Sequence, residues 1–165
     1  MSLSGLLKRM CRLLLVTGFL WVLFFQAGVA QAAEDIALVA HPAVPVDNLS
    51  FVQARKILLG NHQYWSPDLR VTLLIRAPVA RERDLLLKKF YEMSEPQFRQ
   101  HWISKIFRAE TTSGPKVVFS SDMALELLVL IPGSITFVRA DQVPKGLKVI
   151  QIDGRLPGDP GYSLQ

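Results

Sequence analysis

The sequence predicts an α/β domain built as a single three-layer lobe around a mostly parallel central sheet. Short apolar segments of strand length alternate with capped, amphipathic helical segments, and this alternation extends over most of the chain. Several of the strand-like segments are apolar at consecutive positions, which is typical of strands that are covered on both faces, as parallel sheets require. Alternating elements of this kind pack as helices on a central sheet.

The first 32 residues are predicted to be a signal peptide and not part of the fold. Three basic residues precede an uncharged apolar run over residues 13–25, and the small residues of the sequence AQA at 30–32 match a signal-peptidase site. The alternative is an uncleaved N-terminal anchor in the inner membrane, because the uncharged stretch continues to residue 33. Cleavage predicts a domain over residues 33–154 and an irregular tail over residues 155–165.

The net charge and the position of the single cysteine limit which classes of function fit the sequence. The chain has a net charge of +5 from 19 basic and 14 acidic residues, but three of the basic residues and none of the acidic ones lie in the predicted signal peptide. The remaining charge of +2 is too small to favour nucleic-acid binding. The single cysteine, Cys11, precedes the apolar run, so no disulfide and no lipidated cysteine is expected in the mature protein.

The first predicted strand is IALVA, residues 36–40, which His41-Pro42 ends. A helix then begins at Ser50, because Ser50 and Gln53 have the spacing of a capping box. Gly60 is placed to end this helix, since glycine is common just past a helix C-terminus.

The middle of the chain predicts a strand followed by two helices. Residues 71–76 form the strand, and the second helix covers residues 79–93. Ser94 and Gln97 form a second capping box, which begins a third helix over residues 95–107. The predicted inner faces are Leu85, Leu86, Lys89 and Phe90 in the second helix, and Phe98, Trp102, Ile103 and Ile106 in the third.

The C-terminal part predicts three short strands and one helix. KVVF is the first of these strands, and Ser120 or Ser121 caps a fourth helix over residues 122–130, which Pro132-Gly133 stops. Two further strands follow over residues 135–138 and 147–152. The tail contains two prolines and two glycines after Arg155 and is predicted to be irregular.

The junction between the second strand and the second helix is the candidate ligand site. A strand ending at Arg76 and a helix beginning near Val79 would aim backbone amides at one point, with Arg76 and Arg81 beside it. Arg76, Val79, Ala80 and Arg81 are therefore the predicted ligand-binding residues. The alternative is that residues 81–84 form only the solvated first turn of a helix, although an arginine at that position opposes the helix dipole.

No other constellation predicts chemistry. His41, His62 and His101 are far apart and lack the spacing of a metal site. No nucleophile, acid–base pair or phosphate-binding loop motif is present. We therefore expect a protein that is not an enzyme and has no cofactor.

Five features occur in an order that is typical of one known family. Gly60 and Trp65 follow the first capped helix, Arg76 ends a strand before a helix, Trp102 lies in a later helix, and PGSITFV follows the last helix. Over residues 36–152 this order resembles the periplasmic phosphate-binding-protein-like family. It looks most like the short single-lobe members, which are related to phosphate ABC transporter substrate-binding proteins.

The resemblance implies a type-II periplasmic-binding-protein lobe in which a strand-to-helix turn presents backbone amides to an oxyanion. Two departures from the family pattern stand out. Full-length members have Ser-Gly-Thr after the strand-end arginine, whereas APVAR follows Arg76 and contains no hydroxyl. The family's final PG-A-I-G-Y pattern reads PGSITF here, so a glycine and a tyrosine are replaced.

The resemblance and the leader together predict an exported solute-binding-like domain in the periplasm. Its expected ligand is phosphate or a similar oxyanion, bound weakly, and its expected partner is an ABC transporter. The alternative is a periplasmic protein-interaction or sensor accessory module that has lost solute binding, which the missing Ser-Gly-Thr turn favours.

Overall fold

The computed structural model of the protein describes residues 35–165, so the predicted signal peptide and its cleavage site lie outside the described residues. Within residues 35–165, no helix is both long enough and apolar enough to cross a membrane. The strands are β1 (Ile36–Ala40), β2 (Asn48–Leu49), β3 (Tyr64–Ser66), β4 (Leu69–Arg70), β5 (Thr72–Arg76), β6 (Lys116–Val118), β7 (Ser134–Arg139) and β8 (Lys148–Ile152). The helices are α1 (Phe51–Leu58), α2 (Arg81–Leu86), α3 (Glu95–Phe107) and α4 (Ser121–Leu130), with a π-helical turn (Leu87–Tyr91) after α2 and a 3-10 turn (Ala140–Gln142) after β7.

Six strands form the central sheet in the order β2-β8-β1-β7-β5-β6, and β3 and β4 pair as a separate hairpin. Strand β1 is antiparallel to both of its neighbours, β7 and β8. The pairs β2–β8, β5–β6 and β5–β7 are parallel. Five of the six strands therefore run in one direction, which confirms the predicted mostly parallel sheet.

Strand β1 consists of consecutive apolar residues, with no alternation between apolar and polar positions, because both of its faces are covered. Ile36, Leu38 and Ala40 lie in a core cluster with α1, α2 and α3, whereas Ala37 and Val39 lie in a second cluster with α4. Successive side chains of a strand point to opposite faces, so both faces of β1 need apolar residues. The predicted three-layer arrangement is confirmed.

The serine caps predicted from the sequence are present. Ser50 Oγ accepts from Gln53 N at 3.2 Å, and Gln53 Oε1 accepts from Ser50 N at 2.8 Å. The second box joins Ser94 N to Gln97 Oε1 at 2.8 Å. Of the two serines considered for the fourth helix, Ser120 is the cap, so α4 begins at Ser121.

The second helix differs from its prediction at both ends. It begins at Arg81 and not at Val79, because Val79 has a positive φ of 69° and is outside the helix. After Leu86 the helix widens into the π-helical turn, and Glu92 ends it with a φ of 53°. The extra residue in the turn carries Tyr91 inward beside Phe90, and Lys89, predicted to face inward, is exposed.

Helix α3 has its predicted bounds, but its predicted inner face is partly wrong. Phe98 and Trp102 are buried as expected, whereas Ile103 and Ile106 are 58% and 45% exposed. The third buried position is Lys105, whose Nζ donates to Asn61 Oδ1 and to the Glu110 carboxylate. The buried residues follow an i, i+4, i+7 spacing, so α3 contacts the core through one narrow stripe.

The irregular C-terminal tail packs on the start of β1. Tyr162 and Leu164 are buried, Tyr162 Oη donates to Ile36 O at 2.9 Å, and Ile36 N donates to Leu164 O at 2.9 Å. Burial raises the pKa of the Tyr162 phenol, so this hydroxyl stays a hydrogen-bond donor at physiological pH. The tail therefore contributes to the same core as the sheet.

Gly133, between α4 and β7, is expected to be intolerant of any side chain. It has a φ of +77°, and a Cβ there would lie 2.2 Å from the carbonyl oxygen of Arg70. We expect Gly133→Ala to lower the free energy of unfolding by about 3 kcal/mol or more, from backbone strain and overpacking together. Chemical denaturation measures this loss.

The matched control is Gly146→Ala. Gly146 also has a positive φ, of +94°, but a Cβ there would have nothing within 4 Å. This variant should lose only the strain, about 1 kcal/mol. Equal losses in the two variants would show that the contact with Arg70 does not constrain the fold.

Candidate functional site

The candidate site lies at the carboxyl ends of β5 and β6, which form the ligand edge of the sheet. In open sheets of parallel strands, ligands bind outside the carboxyl ends of the strands. At this edge the chain leaves β5 after Arg76 to enter α2, and leaves β6 after Val118 to enter α4. The hydrogen bond from Ala77 N to Val118 O, at 2.8 Å, extends the β5–β6 pairing into the turn.

The turn before α2 exposes the start of the helix. Ala80 is the N-cap residue, has no side-chain hydrogen bond to the helix, and accepts the first helical hydrogen bond from Asp84 N at 3.0 Å. Val79 is 94% exposed. A helix leaves its first amides without acceptors inside the helix, and those of Glu82 and Arg83 find none elsewhere in residues 35–165.

Arg76 lies beneath this turn, with its side chain only 16% exposed. Its Nε is 3.9 Å from Glu82 Oε2, a long ion pair. Its Nε and Nη1 are buried and have no hydrogen-bond partner. Buried polar groups in folded proteins almost always have partners, so two unpartnered nitrogens on one side chain are unusual.

Arg83, which sequence reasoning did not select, organises the site. Its guanidinium makes two hydrogen bonds to the Glu95 carboxylate, at 2.8 and 2.7 Å, and a third to the carbonyl oxygen of Arg76 at 2.8 Å. The same group lies 4.8 Å from the centre of the Phe98 ring. Arg83 thus connects the end of β5, the first turn of α2 and the start of α3.

The predicted alternative, a wholly solvated first turn, is wrong for two of its four residues. Glu82 and Arg83 are 7% and 4% exposed, because the turn brings them under the helix onto Arg76 and Glu95. Arg81 and Asp84 are exposed. Val79 and Arg81 are therefore the parts of the predicted site that are exposed to solvent.

The charges beneath the turn are balanced. Arg76 faces Glu82, and Arg83 faces Glu95. The hydrogen bonds from Arg83 are the main reason that the pKa of Glu95 is lowered from its usual value. An anion on this turn would consequently be attracted by the helix amides and by Arg81 more than by a net positive charge beneath them.

The three histidines occupy separate places. His41 Nδ1 accepts from Ala43 N at 2.9 Å, His101 Nε2 lies 3.1 Å from Leu59 O, and His62 is exposed beside a cavity described below. In the described part of the chain, no group of three or more histidine, aspartate or glutamate side chains has the geometry of a metal site.

Removal of the Glu95 charge should show how far the site depends on it. We expect Glu95→Gln to lower the free energy of unfolding at pH 7 by about 2–3 kcal/mol, because the buried guanidinium of Arg83 loses its charged partner. Glu92→Gln is the control, since Glu92 pairs with Arg55 at the surface, and an exposed pair contributes at most about 1 kcal/mol.

The loss should depend on pH in one direction. Because the folded-state pKa of Glu95 is lowered from 4.5, its contribution is fully present above that value and disappears as the pH falls through the folded-state pKa. Denaturation curves of wild type and Glu95→Gln should therefore converge in acid. A difference that stays constant down to the acid limit would contradict the ion pair.

Comparisons with known proteins bear on the fold. No protein-family model and no curated protein matches the sequence. Among solved structures, one from Clostridium perfringens with bound phosphate has a TM-score of 0.60 at 19% identity, covering 77% of this chain and 49% of that one. An ABC-type phosphate transport receptor from Vibrio cholerae has a TM-score of 0.59 at 20% identity, covering 77% of this chain and 50% of that one.

A third similar structure is PstS from Borrelia burgdorferi, with a TM-score of 0.57 at 17% identity, covering 74% of this chain and 49% of that one. The chain thus spans about half the length of these solved proteins. Identities this low establish fold and not ligand. The chain has the fold of about half of a phosphate-transport binding protein, as its sequence resemblance predicts.

Proposed function

We propose that the protein is an exported binding domain without enzymatic activity, that it binds phosphate or a similar oxyanion weakly at the start of α2, and that it works with an ABC transporter. The observation that carries this proposal is the uncapped start of α2 at the carboxyl edge of the sheet. The other three α-helices of residues 35–165 have a serine as the N-cap residue, at Ser50, Ser94 and Ser120. An anion would supply the acceptor that Ala80 does not.

The unpartnered nitrogens of Arg76 support the same assignment. They lie at the end of the strand that enters the turn, and the ion pair of this guanidinium with Glu82, in the first turn of α2, is long at 3.9 Å. An arginine in this position would then gain the charge-assisted hydrogen bonds that it lacks in the unliganded protein. The solved proteins of similar fold include one with phosphate bound and one phosphate transport receptor.

The expected affinity is low. A helix N-terminus contributes about 0.3–2 kcal/mol to binding an anion, depending on burial, and one hydrogen bond from a charged group contributes about 1.5–3 kcal/mol. Together these give about 2–5 kcal/mol, a range that includes the roughly 4 kcal/mol of a millimolar dissociation constant. A ligand at this open turn is also covered on one side only, unlike the largely enclosed ligands of tight sites.

A cap placed on α2 should compete with the anion. We expect phosphate at millimolar concentration to shift the NMR signals of the residue 79–83 amides in the wild type. In Ala80→Ser, the new hydroxyl should accept from a first-turn amide, raise the free energy of unfolding by about 1 kcal/mol, and reduce the phosphate shifts. Ala80→Gly, which adds no acceptor, is the control.

Charge at the turn provides a second arm of the same titration. Arg81→Gln should weaken phosphate binding, whereas Lys89→Gln, an exposed change further along the same helical segment, should not. Phosphate shifts that persist unchanged in Ala80→Ser, or an absence of shifts in the wild type, would exclude α2 as the anion site.

A second candidate function is recognition of another protein, and one observation favours it. Val79 lies three residues after the end of β5, Phe119 directly follows the end of β6, and they are 94% and 75% exposed. Exposed apolar side chains that form a contiguous patch mark interaction sites, and these two residues lie after neighbouring strands. On this candidate, the edge contacts a transporter or sensor protein of the envelope.

This candidate predicts that Val79→Ser combined with Phe119→Ser abolishes the capture of a stoichiometric partner from envelope extracts, and that added phosphate does not. Phe107→Ser is the matched control, because Phe107 is 92% exposed at the opposite end of α3. Equal capture by the double variant, or release of the partner by phosphate, would argue against a separate protein-recognition role.

A further inference from the structure

A cavity lies at the amino ends of β5 and β6, which are the opposite ends of these strands from the candidate anion site. Its volume is about 240 Å³, and it is enclosed by the amino ends of β5 and β6, by α3 and by the loop after α1. Thr72 and Leu73 line it from β5, Lys116 from β6, and Trp102 from α3. It is smaller than the roughly 300–1,000 Å³ of pockets for drug-sized ligands, so its occupant would be a small molecule.

The polar groups of this cavity are cationic or neutral. Arg70, Lys116 and His62 line it, and none of its lining residues is an aspartate or glutamate. Arg70 Nη2 donates to Thr112 Oγ1 at 2.6 Å. The side chains of His62 and Lys116 make no hydrogen bond or ion pair with any residue from 35 to 165. The charge at this opening therefore favours an anionic ligand.

One wall of the cavity is apolar and includes the indole of Trp102, which is largely buried. Trp102, Ile57 and Leu73 form this part of the wall. Two glycines lie against the indole: a Cβ at Gly60 would be 2.8 Å from Trp102 Cη2, and one at Gly114 would be 3.6 Å from Trp102 Cβ. A side chain at Gly60 would crowd the indole, whereas a Cβ at Gly114 would only be in van der Waals contact with it.

We propose that this cavity binds a small organic carboxylate, with its apolar or aromatic body against Trp102 and its carboxylate toward Arg70 and Lys116. An inorganic oxyanion would use the cations but would leave the apolar wall without a partner. A neutral apolar molecule would use the wall but not the cations. A compact molecule with one apolar end and one carboxylate fits both.

NMR titration with benzoate tests this proposal on the full protein. We expect benzoate to shift the Trp102 indole N–H and the amides of Gly60 and Gly114, and benzyl alcohol, which has a similar shape without the charge, to bind at least threefold more weakly. Lys116→Gln should weaken benzoate binding roughly threefold, as expected for an exposed charge pair. Lys145→Gln, an exposed lysine that does not line the cavity, should leave it unchanged.

The same spectra separate this proposal from the oxyanion site. Phosphate is expected to move the 79–83 amides and not the cavity signals, and benzoate is expected to do the reverse. Benzoate that moves no cavity signal, benzyl alcohol that binds as well as benzoate, or equal effects of the two lysine changes would each overturn the proposal. Arg70→Gln provides a second charge variant if Lys116→Gln fails to fold.

Discussion

The hydrogen bonds of the buried Arg83 guanidinium hold together the candidate anion site at the carboxyl ends of β5 and β6. The guanidinium donates hydrogen bonds to both oxygens of the Glu95 carboxylate and to the carbonyl oxygen of Arg76. A buried charge that loses its partner costs several kcal/mol, so β5, α2 and α3 must meet in this one arrangement. The turn over residues 77–80 connects two fixed ends, and its exposed, uncapped geometry follows from that constraint. Arg76, the last residue of β5 before this turn, has two buried side-chain nitrogens without a hydrogen-bond partner.

Local sequence patterns were sufficient wherever a local interaction sets the structure. The two capping boxes, at Ser50 and Ser94, fixed two helix starts because each box joins residues three positions apart. The Arg83–Glu95 pair joins residues twelve positions apart across a break between helices, and no helical or strand period relates them. Alternating arginines and acids over residues 81–84 were a hint of pairing, but they also fit a solvated turn.

The inner faces of α2 and α3 were predicted partly wrongly because tertiary packing, and not a local pattern, sets them. A regular 3.6-residue period predicts that Lys89 and Phe90 face inward, but the π-helical turn shifts the register so that Tyr91 is buried beside Phe90 and Lys89 is exposed. In α3, Ile103 and Ile106 match the period, but the helix contacts the core only through its narrow stripe, and the buried position is Lys105. The spacing of apolar residues predicts which side of a helix faces the core. Tertiary packing determines how many of those residues are buried.

The exposure of the site at the carboxyl ends of β5 and β6 connects the two candidate functions, anion binding and protein recognition. The chain spans about half the length of the solved proteins of similar fold, and a single face leaves much of a bound anion in water, which weakens every electrostatic contact. A surface that covered the turn would exclude that water and would contact Val79 and Phe119, which are exposed beside it. Anion binding and protein recognition at this edge would then reinforce each other, because the covering protein binds the apolar rim and encloses the anion.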